Sequence, residues 1–156
     1  MSDDMWLSDR EQRTWRAFLD MQRLLFGHIN RQVQREFGLS GADFEILVNL
    51  SESETGRMRA FELSRATQWE KSRMSHQLSR MAARGLVRKE ATTDPRYSDI
   101  VLTEQGRAAI VAAAPRSVDV VRETFLDPIG DARLDLFREA CDAVSAVLDE
   151  NETDCR

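Results

Sequence analysis

The chain has 156 residues, 42% of them apolar and 31% charged, with a net charge of −5. That length supports one compact fold with a real core, and no apolar run approaches the roughly 18 residues of a membrane span. The acidic start Met1-Ser2-Asp3-Asp4-Met5-Trp6 is not a secretory signal, so the expected location is the cytoplasm and no membrane partner is expected.

Ser8-x-x-Glu11 is a capping box, in which a serine hydroxyl and a glutamate carboxylate satisfy two free backbone donors at a helix start. The helix that it opens should end at Gly38, where glycine takes the left-handed cap conformation. Trp15, Phe18, Leu19, Leu25, Phe26, Ile29, Val33 and Phe37 form a wide apolar stripe along it. A helix of about 29 residues is roughly 43 Å long, more than a compact central block can cover, so part of the stripe needs a second chain. His28 lies beside the stripe and reads as a structural histidine. With only His28 and His76 in the chain, a histidine-rich metal site is not expected, nor is any cofactor.

Ser40 caps a second helix that buries Phe44, Ile46, Leu47 and Leu50, followed by a polar loop from Ser51 to Gly56. Arg57-Met58-Arg59 suits a short strand, and Ala60 to Ala66 a supporting helix. In the next helix Met74, Leu78 and Met81 recur at i, i+4, i+7 and share one face. Turning that face inward puts Ser72, His76 and Arg80 outward, with Arg73 and Ser75 at the flanks. These hydroxyl, imidazole and guanidinium groups hydrogen-bond phosphates and base edges. Thr67 with Glu70 would make a capping box for this helix; alternatively Trp69 is buried in the turn and the helix starts near Glu70.

Gly85 ends the helix, and two strand-like runs follow, Leu86 to Ala91 and Ile100 to Thr103. The turn-forming segment between them carries Asp94-Pro95-Arg96. Two helices joined by a tight turn, then a basic two-stranded ribbon, is the order of a winged helix-turn-helix. Arg96 at the ribbon tip suits the minor groove, with Asp94 placed to brace its guanidinium. Charge agrees with that placement. Residues 57–107 carry eleven Lys/Arg against six Asp/Glu, net +5, which leaves −10 for the remainder. A basic block between acidic ends fits a DNA-facing surface.

Thr103 caps a further helix, with Glu104 against its positive end. The alanine-rich run 108–114 meets Pro115, which should kink or interrupt the helix. Val118, Val121, Phe125 and Leu126 continue the apolar pattern to a break at Asp127-Pro128. In the last helix, from about Asp131, Leu134, Phe137, Cys141, Val144 and Leu148 make a heptad-like seam suited to a partner helix. Within that seam Cys141 reads as a small buried hydrophobe rather than a redox switch. Cys155 falls in a polar tail, and without a Cys-x-x-Cys spacing no disulfide framework or zinc ribbon is encoded.

Asp94-x-Arg96, five residues, then Leu102-Thr103-x-x-Gly106 resembles the wing signature of the MarR family of bacterial transcription regulators. Arg84-Gly85-Leu86-Val87 resembles that family's helix-to-wing junction, and Leu63-Ser64-x-x-Thr67 with Ser72-x-Met74-Ser75 follows its helix-turn-helix spacing. The fold class expected is mainly α with a small β-wing, in which residues 39–107 form the DNA-binding region. Residues 1–38 and 108–150 would form the helical dimerisation region, and 151–156 a polar tail. The partners implied are a second copy of the chain and double-stranded DNA with a pseudo-palindromic operator. Ser72, Arg73, Ser75, His76, Arg80 and Arg96 would make the contacts. Arg96→Ala should weaken operator binding in a gel-shift titration far more than the distal Arg138→Ala.

The resemblance also implies a small-molecule effector, frequently aromatic or phenolic, that releases a repressor from DNA. Trp15, Phe18, Phe26, Phe44 and Val111 could line its crevice, although each taken singly reads more readily as core. Some relatives of this type sense oxidants through a cysteine in the first helix, and this chain has none there. Two other classes are a helical dimerisation or protein-interaction module and an enzyme. The first would lack the steep salt dependence of phosphate binding. The second lacks any visible nucleophile–base pair or glycine-rich phosphate loop.

Overall fold

A computed structural model of the chain describes residues 6–92, 94 and 97–154. Helix α1, Asp9–Phe37, starts on the expected capping box and ends where Gly38 turns left-handed at φ 66°. Helix α2, Gly41–Glu52, repeats the device, with Asp43 answering the Ser40 hydroxyl. It runs two residues into the segment expected to be loop, and Ser51 there folds its hydroxyl onto the Val48 carbonyl at 2.8 Å. Strand β1, Arg57–Arg59, leads directly into α3, Ala60–Thr67, and α4 spans Lys71–Ala83. Strands β2, Val87–Ala91, and β3, Ser98–Leu102, follow, and α5 covers Glu104–Val121.

The sheet is antiparallel in the order β1-β3-β2, so the three-residue β1 is the third strand of the wing. Register places Met58 beside Ile100 and Ile100 beside Lys89. Ile100 therefore anchors the wing to the body, fully buried, while Lys89 at its edge stays exposed. The core gathers Ile46, Leu47 and Leu50 of α2, Leu63 of α3, Met74, Leu78 and Met81 of α4, and Ile110 and Ala113 of α5. Val33 is the one core residue that α1 contributes; Ile29 and Phe37 pack partly against it. Trp15, Phe18 and Phe26 lie outside, Phe26 59% exposed, with Trp15 stacked on Phe18 at 5.6 Å.

Two expectations for the C-terminal third are corrected. Of the kink or interruption expected at Pro115, the interruption does not occur, since Pro115 lies inside α5, with buried Ile110 and Ala113 before it and Val120 after it. Nor does the chain break at Asp127-Pro128. A π-helical turn, Arg122–Leu126, carries it into the short α6, Asp127–Ile129, which includes Pro128. The turn comes at Gly130, before α7, Asp131–Asp154.

The chain divides into two compact units, Met1–Ser117 and Val118–Arg156. In the second, Phe125 meets Phe137 edge-to-face at 5.5 Å, and Leu134 and Phe137 are half-buried. Every residue from 138 to 149 is exposed, Val144 and Leu148 included. Cys141 is exposed as well, so it is not a buried hydrophobe in its own chain. Cys155 lies outside the described residues. Among the described residues no helix is long and apolar enough to cross a membrane.

Candidate nucleic-acid interface

Helix α4 turns one face to the core and the other to solvent. Met74, Leu78 and Met81 are each no more than 1% exposed, as their spacing predicts. Ser72, Arg73, Ser75, His76 and Arg80 are all exposed. Among the described residues the side chains of Ser72, Ser75, His76 and Arg80 make no hydrogen bond or ion pair, so their polar groups are available to an outside partner.

The helix start is decided by the turn. Thr67 is the last residue of α3, buried, with its hydroxyl bonded to the Leu63 carbonyl at 2.8 Å. It therefore cannot cap α4, and the capping-box alternative fails. Gln68 takes the left-handed conformation, φ 55°. Trp69 is then half-buried against the core, and Glu70 is the N-cap without a side-chain hydrogen bond. The alternative that buries Trp69 in the turn is the observed one. One turn later the Arg73 guanidinium lies over the Trp69 ring, 4.0 Å from its centroid.

The C-terminal end of α4 closes by a Schellman motif. Gly85, at φ 77°, donates to the Ala82 carbonyl, and Leu86 donates to that of Met81. This sets the direction of β2 and hence of the wing. The Thr103 hydroxyl then locks the wing root to α5. It accepts from the Gly106 amide at 2.9 Å, as an N-cap does, and sits 2.6 Å from the Gly85 carbonyl.

Two features on which the site depends escaped the sequence reading. Asp43, 1% exposed, accepts from Gln77 Nε2 at 2.7 Å and from Arg84 Nη1 at 2.6 Å, while Arg84 Nη2 reaches the Gly38 carbonyl at 3.0 Å. One carboxylate, through Gln77 and Arg84, thus ties α4 to α2 and to the end of α1. Gln77 on the inner face of α4 was the available signal, a polar residue where periodicity asks for an apolar one.

The second is a groove of about 560 Å³ between α3, α4 and the wing. Met74, Leu78 and Ile100 are among its apolar lining residues, and Arg59, Lys71 and Lys89 are its basic ones. Arg59 also lies over the Tyr97 ring, 5.1 Å from its centroid. The other wing cations are engaged. Arg57 meets Glu90 at 2.8 Å and Asp99 at 3.4 Å, and Arg88 meets Glu90 at 2.7 Å. The Arg88 hydrogen bond, with help from Arg57, holds the Glu90 carboxyl below its usual range. Asp94 is half-buried, with its backbone amide bonded to the Thr92 hydroxyl at 3.3 Å. Arg96 lies outside the described residues. The effector candidates Trp15 and Phe18 meet one another, Phe44 packs on the core, and Val111 and Phe26 face outward. His28 is exposed rather than packed.

This arrangement matches solved proteins closely. AbsC, a MarR family transcriptional regulator from Streptomyces coelicolor, superposes with a TM-score of 0.86 at 40% identity, over 93% of this chain and 98% of its own. The chain belongs to the MarR family. Sco3205, a MarR family transcriptional regulator of the same organism solved in complex with DNA, gives 0.86 at 32% identity, over 93% of this chain and 91% of that one. CouR from Rhodococcus jostii RHA1, solved bound to p-coumaroyl-CoA, shares the fold alone, with a TM-score of 0.70 at 19% identity over 82% of this chain and 88% of that one. No family model matches the chain, and no curated protein is detectably similar to it. As a MarR-family member it is a DNA-binding transcription regulator and not an enzyme.

Proposed function

We propose that this MarR-family chain acts as a homodimeric, sequence-specific repressor of a pseudo-palindromic operator. The observation that carries the reading is the outer face of α4. Ser72, Ser75, His76 and Arg80 point outward without side-chain partners among the described residues, and Arg73 beside them is held over Trp69. In such a dimer the two α4 helices enter successive major grooves about 34–36 Å apart. Arg59, Lys71 and Lys89 along the wing groove would add phosphate contacts. Arg96, braced by Asp94, would reach the minor groove.

Pairing would use residues 1–38 and 108–150, and the support is exposed apolar surface. Trp15, Phe18 and Phe26 on α1 and Val144 and Leu148 on α7 are exposed. Leu134, Phe137 and Cys141 extend the α7 seam. An aromatic or phenolic effector would bind near Trp15, Phe18, Phe26, Phe44 and Val111 and release DNA by favouring one of two separations of the reading helices. That a protein of this fold was solved with p-coumaroyl-CoA makes phenolic acids and their thioesters the first compounds to screen.

Gel-shift titration against fragments selected from genomic DNA tests the central reading. The expected result is one retarded species containing two chains, lost in Arg80→Ala and kept in Arg138→Ala. Equal binding to all fragments would remove the sequence-specific reading. A phenolic screen that shifts neither melting temperature nor operator affinity would remove the effector.

A further inference from the structure

Arg73 differs from its neighbours on the outer face of α4 in being held before any partner arrives. Its guanidinium carbon lies 4.0 Å from the centroid of the Trp69 ring, well inside the roughly 6 Å reach of a cation–π contact. The ring is itself fixed. Trp69 is half-buried against the core, follows the left-handed Gln68, and donates its backbone amide to the Ser64 carbonyl at 3.1 Å. On the α2 side stands Glu45, whose carboxyl burial pushes up while the Arg73 charge draws it down. Arg73 is thus close to a carboxylate without forming an ion pair or a side-chain hydrogen bond among the described residues.

A guanidinium stacked through its face keeps its in-plane N–H donors for another partner. A planar, in-plane fork is what the O6 and N7 atoms of guanine accept in the major groove. Position agrees, since Arg73 is the third residue of α4 and reading helices contact base edges through their N-terminal residues. A phosphate can be met by a mobile cation, whereas a base edge rewards an orientation set in advance.

We propose that Trp69 is a positioning residue that makes Arg73 the guanine-reading side chain of each operator half-site. This rests on the reading that α4 enters the major groove.

The experiment selects duplexes from a randomised library with the full chain and then measures anisotropy competition against every single-base change at two salt concentrations. The wild-type chain should prefer guanine at one position per half-site. Trp69→Leu should lower that preference about 5-fold or more, in line with a contact worth a factor of this order. Its salt slope should remain that of wild type because no charge is removed. Trp69→Phe, which keeps an aromatic face, should retain most of the preference. Arg73→Lys keeps the charge but not the fork and should lose the preference. Arg73→Lys and Arg73→Met are surface changes, so they report even if Trp69→Leu fails to fold.

Undiminished guanine preference in Trp69→Leu, or in either Arg73 variant, overturns the proposal. So does a loss spread evenly over all sequences, which marks a phosphate contact. A wild-type chain that selects no sequence removes the groove-reading assignment itself, a result distinct from an unaltered variant.

Discussion

Gly106 and Asp43 show how single residues set the geometry of α4 and the wing. A Cβ at Gly106 would overlap the Leu86 carbonyl oxygen and lie 2.9 Å from Leu102 Cδ1. Backbone cannot move aside as a side-chain end can, so the glycine is required where the wing root crosses the start of α5. Gly106→Ala should cost about 1–3 kcal/mol or more, measured by urea denaturation, and a loss under 0.5 kcal/mol would show that the junction relaxes. Asp43 accepts hydrogen bonds from three donors, the Ser40 amide, Gln77 and Arg84, while almost wholly buried. Its removal strands Arg84 and Gln77 together. Asp43→Ala should destabilise by about 3 kcal/mol, with the usual value for a broken buried pair discounted because the Arg84 side chain is 44% exposed. Asp43→Asn, which keeps an acceptor for Gln77, should recover part of that in the same assay.

At the scale of elements, α4 is placed by its two ends. The left-handed Gln68 in the preceding turn is strained for a residue with a Cβ. A β-branched residue suits it worse, so Gln68→Val should lower stability by roughly 1 kcal/mol and blur operator discrimination by shifting Trp69. Operator discrimination unchanged alongside a lowered melting temperature would separate the two effects. In the wing, Arg57, Arg88, Glu90 and Asp99 neutralise one another across three strands. Glu90 has its folded-state pKa lowered from 4.5, chiefly by the Arg88 hydrogen bond. A group depressed in the folded state stabilises it above the unfolded value and loses that contribution as pH falls through the folded one. Acid titration monitored by circular dichroism should show wild type losing stability below pH 4.5 relative to Glu90→Gln. Parallel curves would mean that the Glu90 ion pairs add nothing.

Across the whole molecule, acidic ends and a basic centre give a net-negative chain a DNA-seeking face. Binding should weaken linearly in log–log plots against salt. A dimer that neutralises about six to ten phosphates loses roughly 10³–10⁵ in affinity between 50 and 200 mM. Leu148→Asp, at an exposed position of α7, should leave the protomer folded yet shift sedimentation velocity towards the monomer and reduce operator affinity with it. A variant that remains dimeric removes the α7 seam from the interface.

Sequence alone determined what local physics controls. Ser8 and Ser40 with their i+3 carboxylates set two helix starts, the 3.6-residue recurrence of Met74, Leu78 and Met81 fixed the inward face of α4, and Gly85 and Thr103 marked the ends of the wing. Where two local signals competed, only tertiary contacts chose between them. Thr67 could cap a helix or finish one, and its burial against Leu63 decided for the latter. Pro115 and Pro128 look like breaks in sequence, but α5 runs on through the first and a new helical turn takes in the second. The tie of Asp43 to Gln77 and Arg84 joins residues 34 and 41 positions apart, and the placement of Trp69 beneath Arg73 depends on how a turn packs on a core. The first has no sequence period, because it arises only when separate helices are brought side by side. The second has helical i, i+4 spacing, and what packing decides there is that the ring is half-buried beneath the guanidinium.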